Sequence, residues 1–524
     1  MSVKSVLVLG SGPIKIGQAA EFDYSGSQAC KALREEGCRV ILLNSNPATI
    51  QTDVTMADVV YIKPMNAETI SSIVKEHRPE GVIATLGGQA ALNLCVECEE
   101  KGIWRDAGVE ILGTPVEAIR AAEGREPFRD LMRKIGQPVP SSAPATCVEE
   151  ALEFARSCSY PLIIRPDFTL GGTGGGVAQN EMELKKRVEE GLDASPVHKV
   201  LVEEYLLGWR EFELEVVRDG AGNAICVCGM ENVDPMGIHT GDSVVVSPIL
   251  TLSDHQWQRL RSAAFAIVEA LDVRGACNVQ FAHSPDGEAY YVIEVNPRAS
   301  RSSALASKAT GYPIARMAAK IALGKRLTEL PNPTTGVGSA MSEPSLDYVV
   351  VKLPRWSFEK FPGADVRLGT RMKSTGEVMA IGLTFPQALL KAFRSLDAPS
   401  PLTDRYFKEA ASEELWKECS LPTHRRMGAM LELLRRGAAC EELSRATAIH
   451  PYFIGELKEI VSAEEQLKEG PSPDALKKAK LYGFSDEDIA GLCGTSEEVV
   501  RVSRRALGLE IAHREVDCCA GEVP

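Results

Sequence analysis

The chain has 524 residues, 44% hydrophobic and 25% charged, with a formal net charge of −14. That length exceeds one ordinary core and predicts roughly three domains of globular composition. The acidity argues against a general nucleic-acid binder, because a strongly negative chain repels phosphate backbones. No apolar run reaches the length of a membrane span, so no membrane partner is expected.

The N-terminus runs from Lys4 straight into the apolar residues 6–9, without a small-residue cleavage region, so a cytoplasmic location is expected. There the 14 cysteines read as thiols. Cys95 and Cys98 form a C-x-x-C, but no second pair stands at zinc-ribbon spacing, and the surrounding Ala-Leu-Asn-Leu reads as a packed helix. Cys518-Cys519 has no evident role.

Residues 1–122 alternate strand and helix. Ser5–Leu9 is a buried strand, residues 21–36 a helix stopped by Gly37, and residues 39–43 the next strand. Residues 69–77 form a helix and 81–84 a third strand. This alternation predicts an α/β domain with a doubly wound parallel sheet. Residues 123–396 read as an α+β domain. Residues 162–164 are a short strand, residues 212–217 alternate polar and apolar, and residues 278–282 and 290–295 are strands joined by the turn Ser284-Pro-Asp-Gly287. Residues 308–323 form a helix broken by Gly311 and Pro313. After the stretch Asp397-Ala-Pro-Ser-Pro401, residues 397–524 are all-α. Helical spacing covers 431–436, 454–465, 475–480 and 497–507. Ser485 and Thr495 stand three residues before an acid, the pattern of a capping box.

Two glycine clusters differ in information. Gly10, Gly12 and Gly17 depart from G-x-G-x-x-G, and the second strand ends at Asn44 where nicotinamide binders place an acid, so a nicotinamide site is disfavoured. The stretch Arg165-Pro-Asp-Phe-Thr-Leu-Gly-Gly-Thr-Gly-Gly-Gly176 carries five glycines in six residues. Ordering them costs backbone entropy, which makes sense where amides approach a polyanion. No Gly-Lys-Ser/Thr follows, so a flexible hairpin lid over phosphates is expected, not a Walker loop.

Residues two apart on a strand face the same way, so Glu294 pairs with Asn296, and Asn278 with Gln280. These oxygen donors suit Mg²⁺ or Mn²⁺ and not zinc. An inward, buried Glu294 is expected, because such a carboxylate is costly without a purpose. Arg298 and Arg301 follow, ready for phosphate or bicarbonate oxygens. His239 lies in the polar turn Gly237-Ile-His-Thr-Gly-Asp-Ser243.

With Gly10-Ser-Gly-Pro-Ile-Lys-Ile-Gly17, Glu21-Phe-Asp-Tyr24, Asn44-Ser-Asn-Pro47, the 165–176 loop, 237–243, 294–298 and Arg301-Ser-Ser-Ala-Leu-Ala-Ser-Lys308, the sequence resembles the ATP-grasp ligases. More narrowly, it resembles the large subunit of carbamoyl phosphate synthetase, in its first, carboxyphosphate-forming half. The resemblance implies a pre-ATP-grasp domain, an ATP-grasp domain and a helical oligomerisation domain. It implies ATP contacts at Arg125, Arg165, Gly171, Gly172, Glu204, Leu206, Glu211, Gly237, Ile238 and His239. Glu204 and Leu206 would lie on a strand edge beside adenine, and Glu211 would take the ribose. Gln280, Glu294 and Asn296 would hold two divalent ions, with Gln280 and Glu294 also serving the nucleotide. Arg298, Arg301, His239 and Asn278 would serve catalysis, the arginines binding the bicarbonate-derived group.

The implied activity is Mg-ATP-dependent conversion of bicarbonate to carboxyphosphate and, with ammonia, to carbamate, for pyrimidine and arginine biosynthesis. Implied partners are a second, carbamate-phosphorylating section, a small glutaminase subunit and further copies in an oligomer. Two departures stand out: Gly124 where the family has Asp, and Asp167 at a usually small or hydroxyl position. A biotin carboxylase-like ligase is the near rival, opposed by Ile14-Lys15 and the helical tail. A DNA-binding regulator is the distant one. Residues 484–508 resemble helix–turn–helix with Arg501, Arg504 and Arg505, but Glu497 and Glu498 would face phosphates.

Overall fold

The computed structural model describes residues 3–13, 20–166, 174–195, 197–396, 398, 400–469, 472–513 and 515–519. Ile14, Lys15, Gly17, Asp167, Gly171, Gly172, Asp397 and Pro399 lie outside the described residues.

The first unit is a five-stranded sheet of β1 (Ser5–Leu9), β2 (Arg39–Asn44), β3 (Val59–Ile62), β4 (Gly81–Ile83) and β5 (Glu110–Ile111). Their order is β3-β2-β1-β4-β5 and every pairing is parallel. Apolar residues fill both faces of β1, as a strand covered by helices on two sides requires. Cys95 and Cys98 are buried in the Gly88–Glu100 helix. The sequence did not reveal β3 and β5: β3 is an edge strand with no buried residue and β5 has two residues.

A four-stranded antiparallel sheet follows: β6 (Ser142–Ala145), β7 (Leu162–Pro166), β8 (Gly176–Ala178) and β9 (Val200–Glu204), in the order β6-β9-β7-β8. Ile164 pairs with Gly176 and Leu162 with Ala178, so the glycine-rich stretch connects two paired strands, as a hairpin must. A Cβ on Gly174 (φ +74°) would meet the Ala194 Cβ at 2.4 Å, so a side chain is excluded there.

The largest sheet holds β10 (Arg210–Arg218), β11 (Ala224–Asn232), β12 (Val245–Ser247), β13 (Gly275–His283), β14 (Tyr290–Asn296), β15 (Val349–Arg355) and β16 (Gly376–Gly382). Its order is β14-β13-β10-β11-β12-β15-β16, antiparallel throughout. Alternation on β10 sends Phe212, Leu214 and Val216 into a core against the Asp254–Ala270 helix, leaving Glu211, Glu213 and Glu215 on the opposite face.

The break at Gly311 and Pro313 separates helices Arg301–Thr310 and Ile314–Ala322, so the first helix begins seven residues before the expected 308. Ser300 caps it and forms a capping box with Ser303, a hydroxyl where the acid-based rule looks for Glu or Gln. Lys320 and Lys325 meet Glu36 at 3.0 and 3.2 Å, tying this layer to the first unit.

The C-terminal region is helical, including Arg426–Arg435, Pro451–Glu469, Pro473–Tyr482 and Glu497–Ala506. Ser485 forms the expected capping box with Asp488, but the last helix is capped by Ser496, not Thr495. Arg501 is paired with Glu497 and Glu498, and Arg504 is buried on Asp486, which removes two of the three arginines from a would-be DNA-reading face. No described helix is long and apolar enough to cross a membrane.

One core runs across residue 396. Phe385, Leu389 and Phe393 of the Phe385–Ser395 helix share it with Phe407, Leu431, Phe453 and Leu476. A chain ended after residue 396 would bare that face. It is expected to bind a hydrophobic dye and unfold without cooperativity, whereas the full chain stays dye-silent. A dye-silent, cooperatively unfolding 1–396 fragment would contradict the shared core.

Candidate active site

The site grows out of the polar face of the largest sheet. Glu213 lies opposite Gln280 and Glu215 opposite Asn278 across β10 and β13. Asn278 lies opposite Asn296 and Gln280 opposite Glu294 across β13 and β14. Three strands thus bring three carboxylates and three carboxamides into one patch. Asn296 Nδ2 donates to Glu294 Oε1 at 2.9 Å, which fixes their shared orientation. The expectation of a buried Glu294 is corrected: it is exposed, while its neighbour Asn296 is buried. β14 is the edge strand of the sheet, where water can solvate the carboxylate.

Deeper in the patch, Asn278 is fully buried. Its Nδ2 reaches Glu213 Oε2 at 3.0 Å, Glu215 Oε1 at 2.9 Å and Ser302 Oγ at 3.1 Å. Ser300 and Ser303 hydroxyls donate to Glu215 at 2.8 and 2.7 Å. Burial still pushes the Glu215 carboxyl upward, against those hydrogen bonds. Glu211 accepts from Asn232 Nδ2 at 2.8 Å, and burial, with Glu213 beside it, raises its pKa to about 8. Glu213 and Glu215 were not singled out in the sequence, although the spacing of 211, 213 and 215 on one strand is a readable signal.

Arg298 sits at the junction with the first unit. Its Nε and Nη2 donate to Gln89 Oε1 at 3.2 and 3.0 Å, its Nη2 to Asn296 Oδ1 at 2.8 Å and its Nη1 to Ala299 O at 3.1 Å. Gln89 is held by Glu123 at 2.5 Å and Asn93 at 2.9 Å. No local pattern pointed to Gln89, which stands 209 residues from Arg298.

Arg301 Nη2 lies 3.3 Å from His239 Nε2, and His239 Nδ1 accepts from Gly241 N at 2.9 Å. An acceptor role at Nδ1 puts the proton of the neutral ring on Nε2, so the Arg301 approach is a close contact and not a hydrogen bond, and a further charge on the ring would face the guanidinium directly. Burial, Arg301 and Lys352 drive the His239 pKa down to about 3. Lys352 Nζ donates to the carbonyls of Thr240, Gly241 and Ser243 at 3.0, 3.1 and 2.9 Å and so shapes the turn. Thr240 Oγ1 donates to Glu213 at 2.5 Å, joining the turn to the sheet patch.

The residues expected at the nucleotide form a second group. Glu204 ends β9, which is paired on both sides, so the expected strand edge is corrected to a strand end. Ser141 N donates to Glu204 Oε2 at 3.4 Å, and Leu206 is buried. Tyr205 between them packs on Gly237 (φ +109°), where a Cβ would meet its hydroxyl at 2.5 Å. That contact brings 204–206 beside Gly237, Ile238 and His239. Arg165 pairs with Glu203 at 3.2 Å, and Arg125 Nη1 donates to the Arg165 carbonyl at 2.9 Å. Gly124 caps the helix after it without a side-chain bond. A cleft of about 990 Å³ opens beside Arg125, lined also by Gln89, Glu123, Lys199 and Leu201.

Three family models match the chain: the carbamoyl phosphate synthase preATP-grasp domain at residues 2–121, the carbamoyl-phosphate synthase L chain ATP binding domain at 124–330, and the large-chain oligomerisation domain at 377–508. The carbamoyl phosphate synthase large chain, N-terminal section, of Methanopyrus kandleri is 53% identical over 540 residues, covering 99% of this chain and 95% of that one. The carbamoyl phosphate synthase large chain of Caldanaerobacter subterraneus is 52% identical over 522 residues, and the match spans 99% of this chain but 49% of that one. Among solved structures, the biotin carboxylase domain of Hydrogenobacter thermophilus 2-oxoglutarate carboxylase, in complex with MgADP, ADP and bicarbonate, superposes with a TM-score of 0.57 at 18% identity over 78% of this chain and 96% of that one. Biotin carboxylase from Campylobacter jejuni does so with 0.57 at 18% over 75% and 91%. Those two likenesses establish the ATP-grasp fold, and the sequence relatives establish that the chain belongs to the carbamoyl phosphate synthase large-chain family.

Proposed function

We propose that this chain activates bicarbonate with ATP, forming carboxyphosphate and then carbamate. The observation that carries the reading is the contiguous patch of Gln280, Glu294 and Asn296, flanked by Arg298 and the His239–Arg301 pair. The Arg165 and 204–206 group and the 237–239 turn are the expected nucleotide side, and Gly171 and Gly172 are expected there from the sequence alone. The Hydrogenobacter relative in fold was solved with MgADP and bicarbonate, the same ligand classes.

Gln280, Glu294 and Asn296 offer a hard, all-oxygen donor set that fits Mg²⁺ or Mn²⁺. Two such ions, when bound, would neutralise phosphoryl oxygens. A bicarbonate oxygen attacks the γ-phosphorus, the bond to the β-γ bridging oxygen breaks, and ADP leaves. Ammonia then attacks the carboxyl carbon, phosphate departs, and carbamate remains. This chain's task is positioning and charge neutralisation. Arg298, immobilised by Gln89, presents a guanidinium to the bicarbonate-derived group. Arg301 presents a second, against a neutral imidazole that cannot take a proton near neutral pH. Asn278 anchors the sheet residues from behind. The covering hairpin would keep water from the labile carboxyphosphate. A second section for carbamate phosphorylation, a glutaminase subunit as ammonia source and self-association through the helical region complete the proposal.

Glu294→Gln is expected to lower bicarbonate-dependent ATP hydrolysis by about two orders of magnitude or more. Because Glu294 is exposed, the thermal midpoint should stay close to wild type. Near-normal turnover by the purified variant would sink the assignment.

His239 supplies a pH test. Its folded pKa of about 3 lies below the ordinary 6.5, so below pH 6.5 the unfolded chain takes up a proton that the folded chain refuses. Stability from this group is therefore complete above 6.5 and is lost as pH falls from 6.5 toward 3. The thermal midpoint of His239→Gln should fall less steeply with acid than that of wild type. Parallel curves for the two proteins would show that the imidazole titrates normally.

A further inference from the structure

We infer that the C-terminal helical unit is a working part of this site, and that Arg426 is a positioning residue for the His239–Arg301 pair. Two routes run from one short segment of that unit to His239. In the first, Arg426, 6% exposed, donates from Nη1 to Asp234 Oδ1 at 2.8 Å, from Nε to Cys419 O at 3.1 Å and from Nη2 to Thr447 O. Asp234 Oδ2 in turn accepts from Ser243 Oγ at 3.1 Å, and Asp234 N donates to the same hydroxyl at 3.2 Å. Asp234 and Ser243 are the two ends of the turn that carries Gly237, Ile238 and His239. Arg426 therefore staples that turn at its base.

The second route begins at Pro422 and Thr423, just before the Arg426–Arg435 helix. Leu368 N donates to Pro422 O at 2.7 Å, and Arg367 forms an isolated bridge with Thr423. One residue further, Gly369 O accepts from His239 N at 2.7 Å. The same loop supplies Lys373 N and Ser374 N to Asp242 at 2.8 and 2.6 Å. His239 is thus fixed at its own amide, and its turn at both ends, by contacts that lead back to residues 422–426.

The shared apolar core is enough to attach the helical unit. A buried ion pair adds little adhesion, because desolvation offsets much of its attraction, but it demands one geometry. The Arg426–Asp234 pair is desolvated on both sides, with side chains 8% and 12% exposed. It sets register where the turn's placement determines how Arg301 is held.

The test uses the full chain. Asp234→Asn keeps the volume and removes the charge pairing, and Arg426→Lys keeps the charge but cannot make all three contacts. Arg435→Met is the control, since the Arg435–Glu464 pair at 2.6 Å is buried wholly inside the helical unit. Amide exchange across residues 236–243, the KM for bicarbonate and the thermal midpoint are measured for each. Asp234→Asn and Arg426→Lys should speed exchange in that turn and raise the bicarbonate KM about tenfold, while Arg435→Met lowers the midpoint and leaves both unchanged. Folded Asp234→Asn with wild-type exchange and KM, or an Arg435→Met effect of equal size on both, would overturn the inference. The KM readout rests on the proposed bicarbonate activation. If wild type shows no bicarbonate-dependent ATP hydrolysis, that reading fails, and the exchange comparison still decides this one.

Discussion

A buried acidic strand face is the constraint around which this molecule is organised. β10 carries Glu211, Glu213 and Glu215 on one side and Phe212, Leu214 and Val216 on the other, and all are buried. The apolar side holds the strand in place; the acidic side resists burial. With its pKa raised from 4.5 to about 8, Glu211 costs roughly 5 kcal/mol more to ionise here than in water. Such a face persists only if its oxygens find donors. The neighbouring strands and loops supply them from Asn278, Asn232, Thr240, Ser300 and Ser303. Those donors in turn fix the start of the Arg301–Thr310 helix and the 240–243 turn, which carry Arg301 and sit beside His239. The geometry of the site is in this sense a by-product of satisfying β10.

No single core owns the site. Gln89 comes from the parallel-sheet unit, Arg165 from the small antiparallel sheet, His239 and Arg301 from the large one, and the staple on the 234–243 turn from the helical unit. The cores also ignore simple division. Val217, Ile225 and Val227 of the large sheet share one with Val6 and Val8 of the first unit, and the 385–395 helix shares another with the C-terminal helices. Motions of any unit are therefore felt where the reactive groups meet.

Local rules read much of this correctly and failed in recognisable ways. Strand–helix alternation revealed the parallel sheet, and the two-residue period placed Glu294 with Asn296 and Asn278 with Gln280. The alternation over 212–217 likewise puts Glu213 and Glu215 on one face, but nothing within that strand says that the face meets Asn278, 65 residues on from Glu213. Burial of Glu294 was inferred from its apolar neighbours, but β14 is the edge strand of its sheet, and alternation there leaves one face within reach of water. The helix start at Arg301 was missed because its box uses Ser303 in place of an acid. Gln89 on Arg298 and Arg426 on Asp234 bridge 209 and 192 residues, and no local pattern encodes such pairs.

Two kinds of arginine pairing show how the chain separates structure from chemistry. Arg426 and Arg435 are matched with carboxylates, so their charge is consumed internally. Arg298 is half-buried; burial lowers its hold on the proton while Glu123 and Glu294 nearby support it, and its hydrogen bonds go to Gln89, Asn296 and the Ala299 carbonyl and to no carboxylate. Arg301 likewise meets a thioether and a neutral imidazole. Amide, carbonyl and thioether acceptors orient these guanidinium groups without a direct ion pair. Neither arginine makes a hydrogen-bonded ion pair with a carboxylate, so each can turn its guanidinium to an anion, and partial burial strengthens that attraction over its value in water. A carboxylate at position 89 would hold Arg298 equally well in space and remove the reason for holding it.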